Sequence, residues 1–328
     1  MSRLAKIALA MLAVLLVTPI SRAWSQDEPF PTRMVRIVVP FPAGGNSDIM
    51  TRVLAKKLSE IWRQPVIVDN KPGGDTLIGT SDVIRAPGDG YTILNNISQI
   101  IQNTFLKKNM PFDTFKELRP LIVATETSMY FVVSRQDGAI PADLATFVAQ
   151  SKRPDSHKTF GSFGYGSTGQ LLLLKLIETT SAKVDDIPFK GNRDIILQLL
   201  NGEISSSFLP FSAFAPYIDQ QKLKAVAATG AARSAVLPDV PTFEEQGVAG
   251  FTGTNWNGFF VSAKTPPKVV EKLSAGFNQV LKDPEVIETL KALGLTPVGG
   301  DPAKFQAYID NETEWLRSLV ATTGLQPQ

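Results

Sequence analysis

Strand and helix patterns alternate along this chain. Val35, Ile37 and Val39 are β-branched at every second position, which predicts a strand over 35–39. Apolar residues at helical spacing then predict a helix over 47–62. A strand follows over 66–69. After the loop Asn70-Lys71-Pro72-Gly73-Gly74 comes a short helix over 76–84, and after the turn Pro87-Gly88-Asp89-Gly90 a strand over 91–95. This βαβαβ order calls for a mostly parallel sheet with helices on both faces. Further strands are predicted over 121–125, 130–133, 159–163, 184–189, 204–209, 225–229 and 259–262. Further helices are predicted over 144–151, 170–180, 193–201, 268–282, 284–293 and 302–319.

No repeat, low-complexity tract or long linker interrupts this order. Two α/β lobes must therefore share the chain without a flexible tether. The expected solution crosses between lobes near 121–127 and again near 247–253. Lobe one would then be 24–124 plus 252–328, and lobe two 125–251. Loops at strand C-termini converge on the cleft between such lobes, where small ligands bind.

The N-terminus adds a compartment. Arg3 and Lys6 precede an apolar run over 7–17, and Ser21-Arg22-Ala23 offers small residues at the positions of a cleavage site. The run is shorter than the roughly 20 residues a bilayer requires. Residues 1–23 are thus expected to be a signal peptide, cut after Ala23, that delivers the protein to the periplasm with no membrane insertion afterwards. The whole chain carries 33 Lys+Arg and 31 Asp+Glu; without Arg3, Lys6 and Arg22 the mature chain has net charge −1. No basic stripe points to nucleic acid. There is no Cys, which excludes disulfides, thiolate metal sites and a cysteine nucleophile. The single His, His157, lies in a polar run and reads as a solvated loop residue. No metal site, cofactor or catalytic residue is expected.

Two glycine-rich loops carry the candidate chemistry. After the first strand, Pro40, Pro42, Gly44 and Gly45 hold a turn open, and Asn46, Ser47 and Asp48 stand where a helix N-cap belongs. Such a loop aims several N–H groups and the positive end of a helix dipole at one spot, which favours an anion. Asp48 has the chemistry of a general base, but capping its helix and bracing the loop is the favoured role. The second loop, 161–169, repeats this logic, with Ser167 and Thr168 at the cap of the next helix. Gly164 to Gly169 formally match G-x-G-x-x-G. Asp185 and Asp186 fall short of the offset of a ribose-binding acid, and export argues against a dinucleotide. A plain structural turn is the alternative. The pairing of the two loops favours one carboxylate gripped from both lobes, so that binding is coupled to hinge closure. No G-x-S-x-G elbow and no GK[ST] loop is present.

Several segments, in order, match a known family. Pro40 to Gly45 with Asp48 resembles PFPAGGxxD. Gln64 to Gly74 is similar to GQPVVVENRPGAGG, Pro87 to Thr92 to PDGYTL, and Gly161 to Leu171 to SxGxGSxxHL. Ile187 to Gly191 resembles VPYKG, Leu237 to Thr242 resembles LPDVPT, and Trp256-Asn257-Gly258 the WfG segment. These are motifs of the solute-binding proteins of tripartite tricarboxylate transporters, the Bug family. The resemblance implies a two-lobed periplasmic binding protein of type II-like α/β fold, with a parallel-rich sheet in each lobe and the ligand cleft between. It implies capture of a small organic acid by hinge closure and delivery to separate membrane transporter subunits, by a monomer. Carried onto this chain, the carboxylate would be held by Ala43, Gly44, Asn46, Ser47 and Asp48, and by Gly164, Tyr165, Gly166, Ser167 and Thr168.

The departures bear on ligand choice. Gln170 stands for the usual His, Phe189 for Tyr, and Leu209 occupies a place where the family often has an acid able to receive an ammonium group. The last change favours a mono- or dicarboxylate, aromatic ones included, over an amino acid. Phe41, Tyr165, Phe208, Phe211 and Trp256 are candidates for an apolar wall, with core packing the alternative for each. Two other functions fit the same fold: a sensor that presents its closed form to a membrane receptor, and an exported enzyme.

Overall fold

The first strand, β1 (Val35–Val39), is buried at four of its five positions and sits inside its sheet rather than at an edge. The structure, a computed structural model, describes residues 29–135, 139–218 and 220–328. The expected leader at 1–23 lies outside these. Residues 33–328 form one unit.

β1 is followed by α1 (Asn46–Trp62), β2 (Val66–Asn70), α2 (Leu77–Arg85) and β3 (Thr92–Ile97). It pairs in parallel with both β2 and β3, the pairing that helical crossovers produce. Beyond β3 the sheet continues through β10 (Asn255–Ser262), β4 (Leu118–Thr127) and β11 (Thr296–Pro297), each antiparallel to its neighbour. The second sheet runs β7 (Asp185–Pro188), β6 (Thr159–Ser162), β8 (Ser206–Pro210), β5 (Met129–Val133), β9 (Lys224–Ala228). β6 is parallel to β7 and β8, whereas β5 is antiparallel to β8 and β9. Both sheets are therefore mixed. The antiparallel pairings all involve the strands that carry the chain from one sheet to the other, β4 into β5 and β9 into β10.

Register brings the functional edges together. Asn255 pairs with Thr127 and Asn257 with Ile97, so the ends of β3 and β4 share an edge with the end of β1. In the second sheet Met129 pairs with Pro210 and Tyr130 with Ala228, which puts the ends of β8 and β9 beside the start of β5. Only Ser128 separates Thr127 from Met129, so the two edges face each other. The remaining helices are α3 (Gln99–Leu106), α4 (Thr114–Glu117), α5 (Leu144–Ser151), α6 (Thr168–Thr180), α7 (Asn192–Asn201), α8 (Phe211–Ile218), α9 (Pro267–Val280), α10 (Pro284–Ala292) and α11 (Pro302–Thr323).

Burial follows strand and helix periods. On β5, Met129, Phe131 and Val133 enter one core while Tyr130 and Val132 enter another, so both faces are covered. On α11, Phe305, Ile309, Leu316 and Leu319 form one stripe into the core beside the first sheet. Asp301 caps that helix through Lys304 N–H at 2.7 Å. Trp315, also on α11, packs against the cores of both sheets. Three helices escape the sequence patterns. α3 leaves β3 with no turn residue, and its N-cap Ser98 has no capping bond; α4 is a single turn; α8 has Pro216 inside it.

Candidate functional site

Gly44 takes φ +84°, a left-handed conformation strained for any residue with a β-carbon. Helix α1 begins from Gly45 as N-cap, with no side-chain cap. Asn46, Ser47 and Asp48 form its first turn, which corrects the expectation that they cap it. Asp48 turns back instead: Oδ2 accepts the Gly44 N–H at 2.9 Å and Arg52 Nε at 3.0 Å, and Oδ1 accepts Asn70 Nδ2 at 2.9 Å. The residue is buried. Burial alone would raise its pKa, but the bonds from Arg52, Gly44 and Asn70 outweigh that and hold it below the usual value. A carboxylate occupied in this way braces a loop and leaves little lone-pair capacity for a base.

The second loop is built on the same plan. Gly166 takes φ +72°, and its N–H donates to Gln170 Oε1 at 2.8 Å. Gln170 Nε2 in turn donates to Asp186 Oδ2 at 2.8 Å. Ser167 caps α6 and accepts the Gln170 N–H. In both loops the side chain three residues past the cap reaches back to the glycine before the cap, a variant of the capping box. Gln170 is thus the brace of this loop.

This plan moves the free donors. The amides of Gly44 and Gly166 are consumed by the braces, and that of Gly164 donates to Ser162 Oγ at 2.9 Å. The Ser167 amide donates to the Gly164 carbonyl. The amides of Gly44, Gly164 and Gly166 are thus not available to an anion, because a bent loop must first satisfy its own N–H groups. Free amides remain in the first turn of each helix. The N–H groups of Asn46, Ser47 and Asp48, and of Thr168 and Gly169, have no protein acceptor among the described residues.

Side chains link these turns to the facing edges. Ser47 Oγ donates to Asn257 Oδ1 at 2.9 Å, and two residues along β10 Asn255 Oδ1 accepts Ser98 Oγ at 2.6 Å. Asn46 Nδ2 reaches Ser212 Oγ, just past β8, at 3.4 Å. Gln102 Nε2 donates to Thr168 Oγ1 at 3.1 Å. Ala43, Gly44 and Asn46 are exposed. The Tyr165 hydroxyl bonds the Gln326 backbone and points to the C-terminal tail. Phe208 is core, among Phe131, Phe160, Phe243 and Phe251. Phe41 is half-buried, and its carbonyl accepts Asn70 Nδ2 at 3.1 Å. His157 is exposed.

Between the sheet edges lies a cavity of about 860 Å³. Of the residues expected in the site, Thr168 and Trp256 line it; among the described residues its wall takes nothing from the first loop. Ser98 and Gln102 of the α3 turn, Glu126 at the end of β4, and Tyr308 and Glu312 of α11 complete one side, and the irregular connectors 229–235 and 250–254 form the other. These residues escaped sequence reasoning because α3 itself did. The available signal was Asn95-Asn96 at the buried end of β3, polar residues where a purely structural strand would be apolar. Glu126 Oε2 accepts from Thr254 Oγ1 at 2.9 Å and from the Tyr308 hydroxyl at 3.0 Å. Burial and the neighbouring Glu126 push Tyr308 up to about 12. Among the described residues no three His, Cys, Asp or Glu gather as metal ligands, and no helix is long and apolar enough to cross a membrane.

Comparison with known proteins bears on this geometry. The family described as tripartite tricarboxylate transporter family receptor matches residues 50–325. BugT of Bordetella pertussis is 29% identical over 319 residues, which cover 96% of this chain and 97% of BugT. Among solved structures, a protein of R. palustris with adipate is 26% identical with a TM-score of 0.77, covering 91% of this chain and 100% of that one. The periplasmic binding protein BugD is 29% identical with a TM-score of 0.74, at 91% and 100% coverage. The two facing sheets described above are those of the two-lobed periplasmic binding protein fold.

Proposed function

Because this chain belongs to the receptor family of tripartite tricarboxylate transporters, we propose that it captures a small organic carboxylate between its lobes. The lobes close on the ligand about Ser128 and the 229–254 connector, and the closed form delivers it to a membrane transporter of the tripartite tricarboxylate type. The protein acts in the periplasm as a monomer, after loss of residues 1–23, and binds its ligand without transforming it. Lobe one carries the six-stranded sheet and lobe two the five-stranded sheet.

The observation that carries this reading is the pair of braced turns. Each ends in first-turn amides with no protein acceptor, at the positive end of a helix dipole. As the lobes close, the amides of Asn46 and Ser47 serve one carboxylate from lobe one, and the Ser167 hydroxyl with the amides of Thr168 and Gly169 from lobe two. Charge-assisted bonds of this kind contribute roughly 1.5–3 kcal/mol each. They form together only when the lobes meet, which couples binding to closure. The adipate bound to the R. palustris relative is consistent with a carboxylate ligand.

The test is calorimetry with adipate and a panel of other organic acids on the wild type and on the double variant Ser167→Ala, Thr168→Ala. Affinity for the best acid is expected to fall by about tenfold or more, with the circular dichroism spectrum preserved. Unchanged affinity would overturn the proposal.

A further inference from the structure

We propose that the cavity between the sheet edges receives a positively charged amine, so that the captured carboxylate carries an ammonium group at its other end. This rests on the carboxylate reading above and specifies the class of ligand.

The charges in the wall decide it. Glu126, Glu312 and Glu314 are its acids and Arg233 its one base among the described lining residues. Arg233 is paired: its Nε bonds both Glu245 oxygens, at 3.0 and 2.9 Å, and Nη1 the Pro238 carbonyl at 3.2 Å. Glu314 is at the rim, exposed and paired with Arg317. That leaves Glu126 and Glu312 facing the interior. Every donor to them is neutral: Thr254 and Tyr308 for Glu126, and Gln102 Nε2 at 3.3 Å for Glu312. A second carboxylate placed here would meet two acids, and the one cation of the wall is already paired with Glu245. An ammonium would meet two counter-charges in a site with little water, where such pairing counts for most.

Two further observations point the same way. Tyr308 and Trp315 line this wall as half-buried rings, and aromatic faces beside acids are the means by which proteins hold organic cations. Trp256 is 1% exposed, and its Nε1 is buried without a hydrogen-bond partner. It is close enough to lower the pKa of Glu312, so an ionised Glu312 is the acceptor it lacks. Burial pushes Glu312 up to about 7, and a bound cation would hold it ionised. The other titratable groups facing this space are Glu126, Tyr308, Glu314 and Arg233. Distance permits both poles at once, since Thr168 Oγ1 and Glu312 Oε1 lie 3.1 and 3.3 Å from the same Gln102 nitrogen. Leu209, whose apolar side chain argued against an amine, is fully buried in the core of the second sheet; the acids come from β4 and α11 instead.

Calorimetry on the purified protein at neutral pH tests this with length-matched probes. These are γ-aminobutyrate, δ-aminovalerate and ε-aminocaproate, each against its monocarboxylate (butyrate, valerate, caproate) and its dicarboxylate (succinate, glutarate, adipate). The best amino acid is expected to bind about tenfold or more tightly than both partners of its length. Glu312→Gln and Glu126→Gln should each remove most of that advantage while leaving the monocarboxylate within about twofold. A dicarboxylate that binds as tightly as its amino partner overturns the inference and leaves the carboxylate reading standing. So does an advantage that survives both substitutions. If none of these probes binds, this inference falls, and the carboxylate reading stands or falls on the wider acid panel.

Discussion

Gln102 Nε2 sits 3.1 Å from Thr168 Oγ1 and thereby ties α3, at the edge of the first sheet, to the opening turn of α6 beside the second. The same nitrogen reaches Glu312. One amide side chain thus joins the turn assigned to the carboxylate and the acid assigned to the amine. Gln102→Ala removes a bond of about 1 kcal/mol to each partner. Calorimetry should show affinity for the tightest probe reduced about three- to tenfold, with little change in melting temperature.

Asp48 is the brace of the first loop. Asp48→Ala leaves the Gly44 amide without its acceptor and removes one of the two bonds of Asn70 Nδ2, which keeps the Phe41 carbonyl, at a cost of about 1–3 kcal/mol, seen as a lower denaturation midpoint. The folded state holds the Asp48 carboxyl below its unfolded value of 3.8. The folded protein therefore binds fewer protons there than the unfolded chain. Its stabilisation is complete above that value and is lost as pH falls through the lower folded value. Asp48→Asn should flatten this part of the acid-denaturation curve.

Glu312 acts with the opposite sign. Its carboxyl rises from 4.5 unfolded to about 7 folded, so the folded state binds more protons in between, and stability declines as pH rises across that interval. The full effect is of order 3 kcal/mol. Glu312→Gln keeps an acceptor for Gln102 and cannot ionise. Melting temperatures measured at mildly acidic and mildly alkaline pH should lie closer together in the variant than in the wild type.

Gly258 lies where β10 crosses under α11. A β-carbon there would stand 2.0 Å from Phe305 Cζ. The Phe305 ring cannot retreat, because it is fully buried against Trp256 and Phe260, with ring centres at 5.1 and 4.8 Å. Gly258→Ala is expected to destabilise by about 1–3 kcal/mol or more in denaturant titration. Adding Phe305→Leu should recover part of that loss.

The legible part of this protein was what repeats. β1 and the helix α5 match their predicted bounds, and most other elements end within a few residues, because period-2 and period-3.6 burial leave a direct trace in sequence. The two glycine loops were legible for a similar reason: a left-handed turn ahead of a helix demands glycine at a fixed place. Which amides those loops leave free was not legible. It depends on Asp48 and Gln170 folding back onto Gly44 and Gly166, and a side chain's direction is set by packing. The cavity wall was hidden more deeply. Glu126 is far in sequence from Tyr308 and Glu312 and joins them only when α11 lies across β4, and an acid that will face an interior space looks like any solvated acid along the chain.

The connectors 229–235 and 250–254, which belong to no helix or strand, form one side of the cavity, while each glycine turn is locked by its own internal brace. Replacements in the connectors can therefore reshape what the protein prefers to hold without disturbing how it grips an acid group. Descendants of one ancestral receptor could inherit the grip intact and diverge in diet.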